Sequence, residues 1–489
     1  MPKYRLTKIG LPKNFRWPSA PAMALAGLLM LFLFSFSACH TAAGRPALYG
    51  ADSGQWQSGP NEAKVAEYFK RAAANEAALI ALLQAMPKGG DLHNHPSGTI
   101  DAELVLQTAI DRNLFFDRAA KTFVEAPPGG NSSGYYTAEQ MQLSGDSSTL
   151  LRSEILNAIS MREAGSNIDR IESRHDRFFA FWQRVGAAYP DQENIYRSLF
   201  RRAVADRVSY LELMDDVTAE EVGKIDEVLA EVLAEFSAAG LPWKLAVNFI
   251  TTVNRNQPPE KFQRSLEKAV SAQYEVGRRV VATTILSPED SYISQRDFGA
   301  QMEAIDALYK QYAAKYPDEP PKMTMHAGEL TLDYATYESM FNRISASLEK
   351  GHAARIDHGS SIAWDLHTYD ILRIMREGNI GVTICPASSA DVLNLAGNRH
   401  PFALYRAAGV RIALGTDDMG IERTSFTGEF VRAVQAFGLK YADLKSLAYT
   451  SIDMAMISDG EKASLRACLN ASFAAYEAEI AAVVAEFGW

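Results

Sequence analysis

The sequence has very few cysteines. Only three occur in 489 residues, and Cys39, Cys385 and Cys468 are far apart in the chain. This number and spacing exclude a disulfide framework and a thiolate zinc cluster, because both need several closely spaced cysteines. Cys385 follows an apolar run and precedes a proline, and we expect a small buried thiol there rather than a nucleophile, since no base accompanies it.

The sequence also lacks an excess of basic residues. The 49 Lys and Arg residues are outnumbered by 59 Asp and Glu residues, which gives a formal net charge of -10. This balance argues against a nucleic acid partner, since a phosphate-backbone binder normally has a basic face or stripe. No Gly-x-Gly-x-x-Gly turn follows the first predicted strand, so the sign of an open dinucleotide-binding sheet is missing. The length and the 47% hydrophobic content allow one large α/β domain or two smaller ones.

The N-terminal segment has the pattern of an export signal. Basic residues among the first 16 are followed by an apolar run over 22–38. Phe36-Ser-Ala-Cys39 resembles the lipobox of bacterial lipoproteins, so we predict a signal peptide over 1–38, lipidation of Cys39 and a membrane-anchored protein. An uncleaved membrane anchor and a cleaved, secreted product stay open as alternatives. In all three cases the folded domain lies outside the cytoplasm, facing the periplasm or the cell exterior.

Two further segments precede the main domain. Residues 39–60 are rich in Gly and Pro and are predicted to be a flexible tether. Residues 61–86 are rich in helix formers and end before Pro87, which predicts one long helix. This helix and the loop 127–134 could serve dimerisation or act as a lid, and neither has a signature that decides the oligomeric state.

Eight short apolar runs organise the rest of the chain. The first ends at His93-Asn-His95, and the others are 208–213, 245–251, 280–286, 323–325, 354–356, 381–384 and 410–414. Most are separated by helical segments, an alternation that is typical of parallel strands, and eight strands close a barrel. We therefore predict an α/β fold: a (β/α)8 TIM barrel over 87–489, with extra N-terminal helices and a mostly helical insertion between strands one and two.

Several residue types in the chain have a simple structural interpretation. The insertion carries an aromatic cluster: Phe178, Phe179, Phe181 and Trp182. Its helical spacing favours core packing over a substrate-binding wall, although a base-binding pocket would also need apolar walls. Four histidines have no companions at ligand spacing and are interpreted as surface or capping residues: His175, His352, His367 and His400.

Polar, titratable side chains follow four of the eight predicted strands. The motifs are His93-Asn-His95, His326-Ala-Gly-Glu329, Asp357-His358-Gly359 and Thr416-Asp417-Asp418. In barrel enzymes the C-terminal ends of the strands carry the chemistry. Two histidines two residues apart on a strand project to the same face and form half of a metal site.

The motifs together supply a complete metal site. The predicted ligands are His93, His95, His326 and Asp417. Nitrogen and carboxylate donors suit zinc or a similar divalent ion and leave a position for a water, whose pKa the ion lowers towards neutrality. Glu329, three residues beyond His326, is expected to donate a proton to the substrate, and His358 and Asp418 to hold the attacking hydroxide. The residues thus predict metal-dependent hydrolysis with the substrate still open.

These motifs, in this order, resemble those of the adenosine deaminase family over roughly 87–419, and the opening Met86-Pro-Lys-Gly is similar to the secreted, growth-factor-related branch. The resemblance implies a (β/α)8 barrel, one zinc ion per chain, and conversion of adenosine or a related aminopurine nucleoside to the inosine-type product and ammonia. It implies that Glu329 protonates the purine N1 while His358 and Asp418 orient the hydroxide. The unrelated cytidine deaminase fold is excluded, because it needs a Pro-Cys-x-x-Cys motif that this chain lacks.

The segments expected to contact the substrate depart from the family pattern. Ser97 stands where the family has an Asp for the ribose 5′-hydroxyl, Leu286-Ser-Pro-Glu-Asp290 replaces a Gly-containing acidic turn, and Cys385-Pro-Ala-Ser-Ser389 replaces Cys-Pro-x-Ser-Asn. The predicted substrate-binding residues are Ser97, Gly98, Ser287 and Gly328. A modified adenosine, a deoxynucleoside or another aminopurine stays open as the substrate.

Two other functions stay open at this point. One is a metal-dependent amidohydrolase of the same barrel class that acts on another amine or amide. The other is a surface lipoprotein that binds nucleosides at a vestigial site, against which the retention of all four ligands and Glu329 counts. The zinc content of the purified protein discriminates between these functions.

Overall fold

The computed structural model describes residues 56, 58–143, 145–162 and 172–488. The predicted signal peptide, Cys39 and most of the predicted tether lie outside the described residues. The prediction of one helix over 61–86 is wrong, because two helices occur there, α1 (Glu62–Ala72) and α2 (Glu76–Gln84). The break comes at Asn75, whose side chain accepts a hydrogen bond from the Ala78 amide at 2.9 Å and caps the second helix.

The described strands form two sheets. In chain order they are β1 (Gly89–Asn94), β2 (Phe115–Asp117), β3 (Thr122–Val124), β4 (Tyr135–Tyr136), β5 (Val208–Met214), β6 (Ala246–Asn254), β7 (Val280–Leu286), β8 (Met323–Ala327), β9 (Ala353–His358), β10 (Gly381–Ile384) and β11 (Ile412–Leu414). Eight of them pair in parallel in the order β1-β5-β6-β7-β8-β9-β10-β11, and β2 to β4 form a separate antiparallel sheet. All eight predicted apolar runs overlap the strands of the larger sheet.

The larger sheet curls until its last strand meets its first. Asn94 and Asp417 form a parallel bridge between the ends of β1 and β11. The His95 amide donates to the Asp417 carbonyl at 3.2 Å, and the Asp417 amide donates to the His93 carbonyl at 2.8 Å. The predicted (β/α)8 barrel is therefore confirmed, and its closing bridge lies beside both histidines of the first motif.

Helices surround the barrel or lie in the segment between β1 and β5. After α2 they are α3 (Ala102–Asp111), α4 (Ala138–Gln142), α5 (Asp146–Ala158), α6 (Arg174–Phe179), α7 (Phe181–Val185), α8 (Gln192–Ala205), α9 (Ala219–Ala238), α10 (Pro259–Glu275), α11 (Tyr292–Lys315), α12 (Arg343–Glu349), α13 (Thr368–Glu377), α14 (Pro386–Asp391), α15 (Phe402–Ala408), α16 (Phe426–Phe437), α17 (Tyr441–Met454) and α18 (Asp459–Phe487). In α10 the residues Phe262, Leu266 and Ala269 recur at helical spacing and are buried against β6 and β7. Among the described helices, α18 alone is long and apolar enough to cross a membrane. It packs instead on α1 and α17, with Leu469 and Phe473 buried.

The segment between β1 and β5 forms a second layer over the barrel mouth. It contains α3 to α8, as the predicted helical insertion requires, but also the small sheet of β2, β3 and β4, which the prediction missed. Those strands are two or three residues long, and Phe116 and Phe123 are their buried residues. The same apolar cluster reaches Val392 and Ile421, which follow β10 and β11. The insertion therefore packs on the C-terminal end of the barrel.

Candidate active site

The strand ends bring all the predicted metal-binding and catalytic residues to one place. Nitrogen atoms of His93, His95 and His326 lie within 4.8 Å of one another. The same limit holds for ligand atoms of His93 with His358 and Asp417, and of His95 with the two aspartates 417 and 418. These residues come from the ends of β1, β8, β9 and β11, which are remote in sequence. β8 neighbours β9, and the closing bridge brings the end of β11 beside β1.

Threonine hydroxyls behind two of the histidines fix their orientation. Thr383 Oγ1 donates to Asp357 Oδ1 at 2.6 Å, which leaves its lone pair to accept Nδ1–H of His93 at 3.2 Å. Thr284 Oγ1 lies 3.1 Å from His326 Nδ1 and can accept from it in the same way. Both rings then direct Nε2 towards the centre of the cluster, as metal-binding histidines do.

The residues of the cluster fit a divalent metal ion. His93 Nε2 is buried without a hydrogen-bond partner among the described residues, and it lies 3.4 Å from Asp417 Oδ1. The Nε2 atoms of His95 and His326 are 3.2 Å apart, so a proton or a cation is needed between them. Three imidazoles and one carboxylate are the donors that zinc and similar ions prefer.

The charges of these groups also suit a cation. Burial lowers the pKa of His93, but the carboxylates of Asp417 and Asp357 outweigh it and raise that pKa to about 10. Burial lowers the pKa of His95 to about 4. The negative charge of Asp417 is thus offset by one protonated histidine, and a divalent ion would compete with that proton for the same nitrogen.

Three further polar side chains face the cluster, namely Glu329, His358 and Asp418. His358 Nε2 lies 3.8 Å from Glu329 Oε1 and 3.8 Å from Asp417 Oδ2. Asp418 Oδ1 is buried and lacks a hydrogen-bond partner in the part of the chain that is described. Burial, together with the carboxylates of Asp417 and Glu289, raises the pKa of Glu329 well above its usual value. The surroundings of this carboxyl group therefore favour its protonated form.

Three non-glycine residues around the site have left-handed backbone conformations. The φ angles are 52° at Asp417, 68° at His358 and 87° at Ser287. L-amino acids with side chains rarely adopt such angles, and the strain is tolerated where the surrounding structure imposes it. Each of these residues comes at or just after a strand end, where the chain must turn to present its side chain.

A cavity of about 410 Å³ lies over the cluster. It is lined by His95, Ser97, Phe178, Phe179, Trp182, Asn254, Leu286, Ser287, Pro288, His326, Glu329, His358, Asp417 and Asp418. The interpretation of the aromatic cluster as core is therefore wrong for its exposed part. Phe178 is buried on one side and lines the cavity on the other, and Trp182 is 36% exposed. Only Phe181 of the four is fully internal.

The four predicted substrate-binding residues divide into two pairs. Ser97 and Ser287 line the cavity, whereas Gly98 and Gly328 lie outside its lining. A Cβ at Gly98 would fall 1.5 Å from Asp418 Oδ1, so this glycine leaves room for the aspartate. The Gly328 carbonyl accepts a hydrogen bond from the Ser361 amide at 2.8 Å. Both glycines thus contribute to the shape of the site without lining the cavity.

Two expectations about single residues have different outcomes. Cys385 is fully buried and burial raises the pKa of its thiol, which confirms the expected inert cysteine. The interpretation of His175 as a surface or capping residue is wrong. Its ring stacks on Tyr334 with centroids 4.4 Å apart, and its Nε2 lies 3.3 Å from Asp290 Oδ2 beside the cavity.

Sequence reasoning missed several residues that shape the site. Thr284 and Thr383 lie inside predicted strands and orient the histidines, and Asn254 at the end of β6 lines the cavity. The available signal was the alternation of side chains along a strand, since the polar residues of a buried strand mark its inward face.

Comparisons with known proteins agree with this site. The model of the family described as adenosine deaminase matches residues 169–471. An adenosine deaminase from Shewanella loihica is 26% identical over 243 residues, which cover 49% of this chain and 65% of that protein. The match therefore spans slightly less than two thirds of that relative. A similarity to the secreted, growth-factor-related branch stays a prediction.

Solved structures share the fold. ADAL from Arabidopsis in complex with GMP has 21% identity and a TM-score of 0.53, and the match covers 80% of this chain and 98% of that one. A Burkholderia ambifaria amidohydrolase with bound Zn has 19% identity and a TM-score of 0.50, with 83% and 94% covered.

The family match extends over more than half of the chain. It includes His326, Glu329 and the motifs after β9 and β11, and it begins after His93 and His95. The structure adds these two histidines to the cluster through the closing bridge of the barrel. The chain belongs to the adenosine deaminase family of hydrolytic deaminases.

Proposed function

We propose that this protein is a zinc-dependent deaminase that converts adenosine or a related aminopurine nucleoside to the inosine-type product and ammonia. One observation carries the proposal: a cluster of three histidines and a carboxylate lies at a cavity that Glu329 also lines, and burial raises the pKa of Glu329 well above its usual value. This combination supplies metal ligands and a proton donor within reach of one bound molecule.

The metal would be held by His93, His95, His326 and Asp417. When bound, a zinc ion supplies an activated water for attack on an electrophilic carbon. The Zn described in the Burkholderia amidohydrolase supports this choice of metal. Nothing in the donor set favours calcium or magnesium, which take oxygen ligands.

Glu329 would donate a proton to a ring nitrogen of the purine. Its pKa is raised well above the usual value by burial and by the carboxylates of Asp417 and Glu289, which favours the protonated form that a proton donor needs. Protonation of the ring nitrogen makes the adjacent carbon that bears the amino group more electrophilic. The side chain lines the cavity, where the base would bind.

His358 and Asp418 would hydrogen-bond the attacking water, and His358 would take up its proton. Both side chains line the cavity on the side of the metal ligands. Burial lowers the pKa of His358 to about 3, so its ring is neutral and free to accept a hydrogen bond. Asp418 Oδ1, which has no hydrogen-bond partner among the described residues, offers a second hydrogen-bonding group at the same place.

The wall opposite these groups would bind the base. Phe178, Phe179 and Trp182 give the cavity an apolar face, which suits a flat heteroaromatic ring. Ser97, which lines the cavity, would contact the sugar. Because a serine reaches less far than the aspartate of the family pattern, a modified adenosine, a deoxynucleoside or another aminopurine is the second candidate.

The direct test uses the purified full-length protein. We expect about one zinc ion per chain by elemental analysis and release of ammonia from adenosine, with the matching loss of absorbance of the 6-amino chromophore. Metal-loaded protein that releases no ammonia from a panel of aminopurine nucleosides would contradict the proposal. Activity on a non-purine amide alone would favour the related amidohydrolase function.

We also propose that the enzyme acts outside the cytoplasm, anchored through lipid on Cys39. The basic leader, the apolar run and Phe36-Ser-Ala-Cys39 support this. Cys39→Ala should move the protein out of the membrane fraction, whereas Cys468→Ala, the matched control, should leave it there. Unchanged membrane association of the Cys39 variant would instead support an uncleaved anchor.

A further inference from the structure

We infer that Glu289 is a positioning residue for the proton donor, acting through the backbone of Glu329 and held in place by Arg255. The inference rests on the proposed function, because Glu329 has its role only in a deaminase-like reaction. Glu289 follows β7, in the turn where this chain departs from the family pattern, and it does not line the cavity as described.

Glu289 fixes the start of the loop that carries the donor. Its side chain is 1% exposed, and Oε2 accepts a hydrogen bond from the Glu329 amide at 2.8 Å. The preceding residue, Gly328, has φ of 75°, so the chain turns sharply between β8 and Glu329. The single bond from Glu289 therefore defines where the backbone of the donor lies after that turn.

Arg255 ties the same carboxylate to the metal site. Its Nη1 lies 3.5 Å from Glu289 Oε1, and its Nη2 donates to the His326 carbonyl at 2.6 Å and to the Ile285 carbonyl at 3.1 Å. One guanidinium group thus links the end of β7, a predicted metal ligand and the carboxylate that holds the donor. The position of Glu329 relative to His326 is therefore set by the Arg255 guanidinium and Glu289 as well as by the chain between the two residues.

The burial of Glu289 is explained by its partners. A buried carboxylate without compensation is costly, and here Arg255 on one side and Arg343, with Nη1 3.8 Å from Oε1, supply positive charge. The Arg343 guanidinium lies 4.1 Å above the Phe298 ring, which holds it against α11. The two arginines therefore compensate the buried negative charge of Glu289.

Loss of the hydrogen bond between Glu289 and the Glu329 amide should affect turnover more than substrate binding. A displacement of about 1 Å in a catalytic group can cost about 100-fold in rate. The substrate-facing walls and the four ligands do not depend on the bond from Glu289 to the Glu329 amide. A role in positioning therefore predicts a loss of kcat with little change in KM or in zinc content.

Two variants separate the hydrogen bond from the charge. Glu289→Asp keeps the charge for the two arginines but is one methylene too short to reach the Glu329 amide, whereas Glu289→Gln keeps an acceptor at full length and loses the charge. We expect Glu289→Asp to lower kcat by about 10- to 100-fold, with KM and zinc nearly unchanged. Glu289→Gln should retain more of kcat than Glu289→Asp.

The matched control is Glu429→Asp. Glu429 is also fully buried and accepts a backbone hydrogen bond, from the Ala387 amide at 2.8 Å, but it is not in contact with the donor loop. This control should lower the melting temperature as much as Glu289→Asp and leave kcat within about threefold. A kcat that falls in step with melting temperature in both variants would overturn the inference.

Hydrogen exchange gives a readout that does not need activity. In zinc-loaded Glu289→Asp, protection should fall in the peptide that contains Glu329 and stay unchanged around His93 and His358. Unchanged protection at Glu329 would overturn the inference even if the wild-type protein deaminated nothing. Absence of activity in the wild type, with the expected loss of protection, would count against the proposed function alone.

Discussion

The barrel and the insertion between β1 and β5 contribute to one cavity in different ways. The barrel supplies polar side chains whose positions are fixed both by the strand that carries them and by a hydrogen-bond partner. Thr383 is such a partner for His93. The insertion supplies aromatic side chains to the cavity. They lie on two short helices, α6 and α7, and side-chain contacts hold these helices in place. This difference predicts that changes in the barrel alter the chemical step and that changes in the insertion alter substrate binding.

The largest effect should come from removing the proton donor of the barrel. Glu329→Gln keeps the shape of the side chain but cannot give up a proton, so we expect kcat to fall by about 10²- to 10⁴-fold, the usual range for a general acid. Zinc content and the KM for adenosine should change little. Glu338→Gln, a nearby glutamate outside the cavity, is the control. A Glu329→Gln enzyme with a near-normal rate would show that the barrel does not supply the donor.

The part of the site that lies on the barrel was largely predictable from the sequence. Strand ends are marked by the change from apolar to polar residues, and parallel strands must align those ends, so His326 and Asp417 could be assigned to one site from the sequence alone. The contacts of Glu289 and Thr284 could not be assigned. They depend on which neighbouring side chain each one reaches, and spacing along the chain does not encode that distance.

The structure of the insertion and its contribution to the cavity were much less predictable. Helical spacing of Phe178, Phe179 and Trp182 indicates one apolar face but does not say whether a helix or a cavity lies opposite. The small sheet was missed because its strands are two or three residues long, too short for an alternating pattern to stand out. Long-range packing, and not local preference, determines this part of the fold.

A change in the aromatic wall should affect substrate binding and leave the chemical step intact. Trp182 is 36% exposed, so Trp182→Ala should cost little stability but remove part of the surface that would contact the base. We expect KM to rise by about tenfold, roughly 1.4 kcal/mol of binding, with kcat and zinc content nearly unchanged. Trp364→Ala, at a tryptophan that is 41% exposed and outside the cavity lining, is the control. A fall in kcat alone would break the proposed division between the two regions.

The smallest effect should come from the ion pair that connects the insertion to the barrel. His175, at the start of α6, lies 3.3 Å from Asp290 after β7 and 3.5 Å from Asp176. Burial lowers the pKa of His175, but these two carboxylates outweigh it and raise the pKa above the usual value. The stabilisation from this pair is therefore fully present below the pKa of the unfolded chain and is lost as the pH rises through the higher folded value.

This pH dependence connects the wall to the barrel without involving the chemistry. Because the His175 ring also contacts Phe179, with centroids 4.7 Å apart, loss of its charge should loosen the wall. We expect KM to rise by about two- to fivefold as the pH increases from 6 to 9, the range that a partly exposed ion pair can supply. His175→Gln should abolish this dependence, whereas His352→Gln, which removes a similar pair with Asp306 far from the cavity, should preserve it. If instead kcat depended on pH and this dependence disappeared in His175→Gln, the insertion would take part in turnover. The proposed division, with chemistry in the barrel and binding in the insertion, would then be wrong.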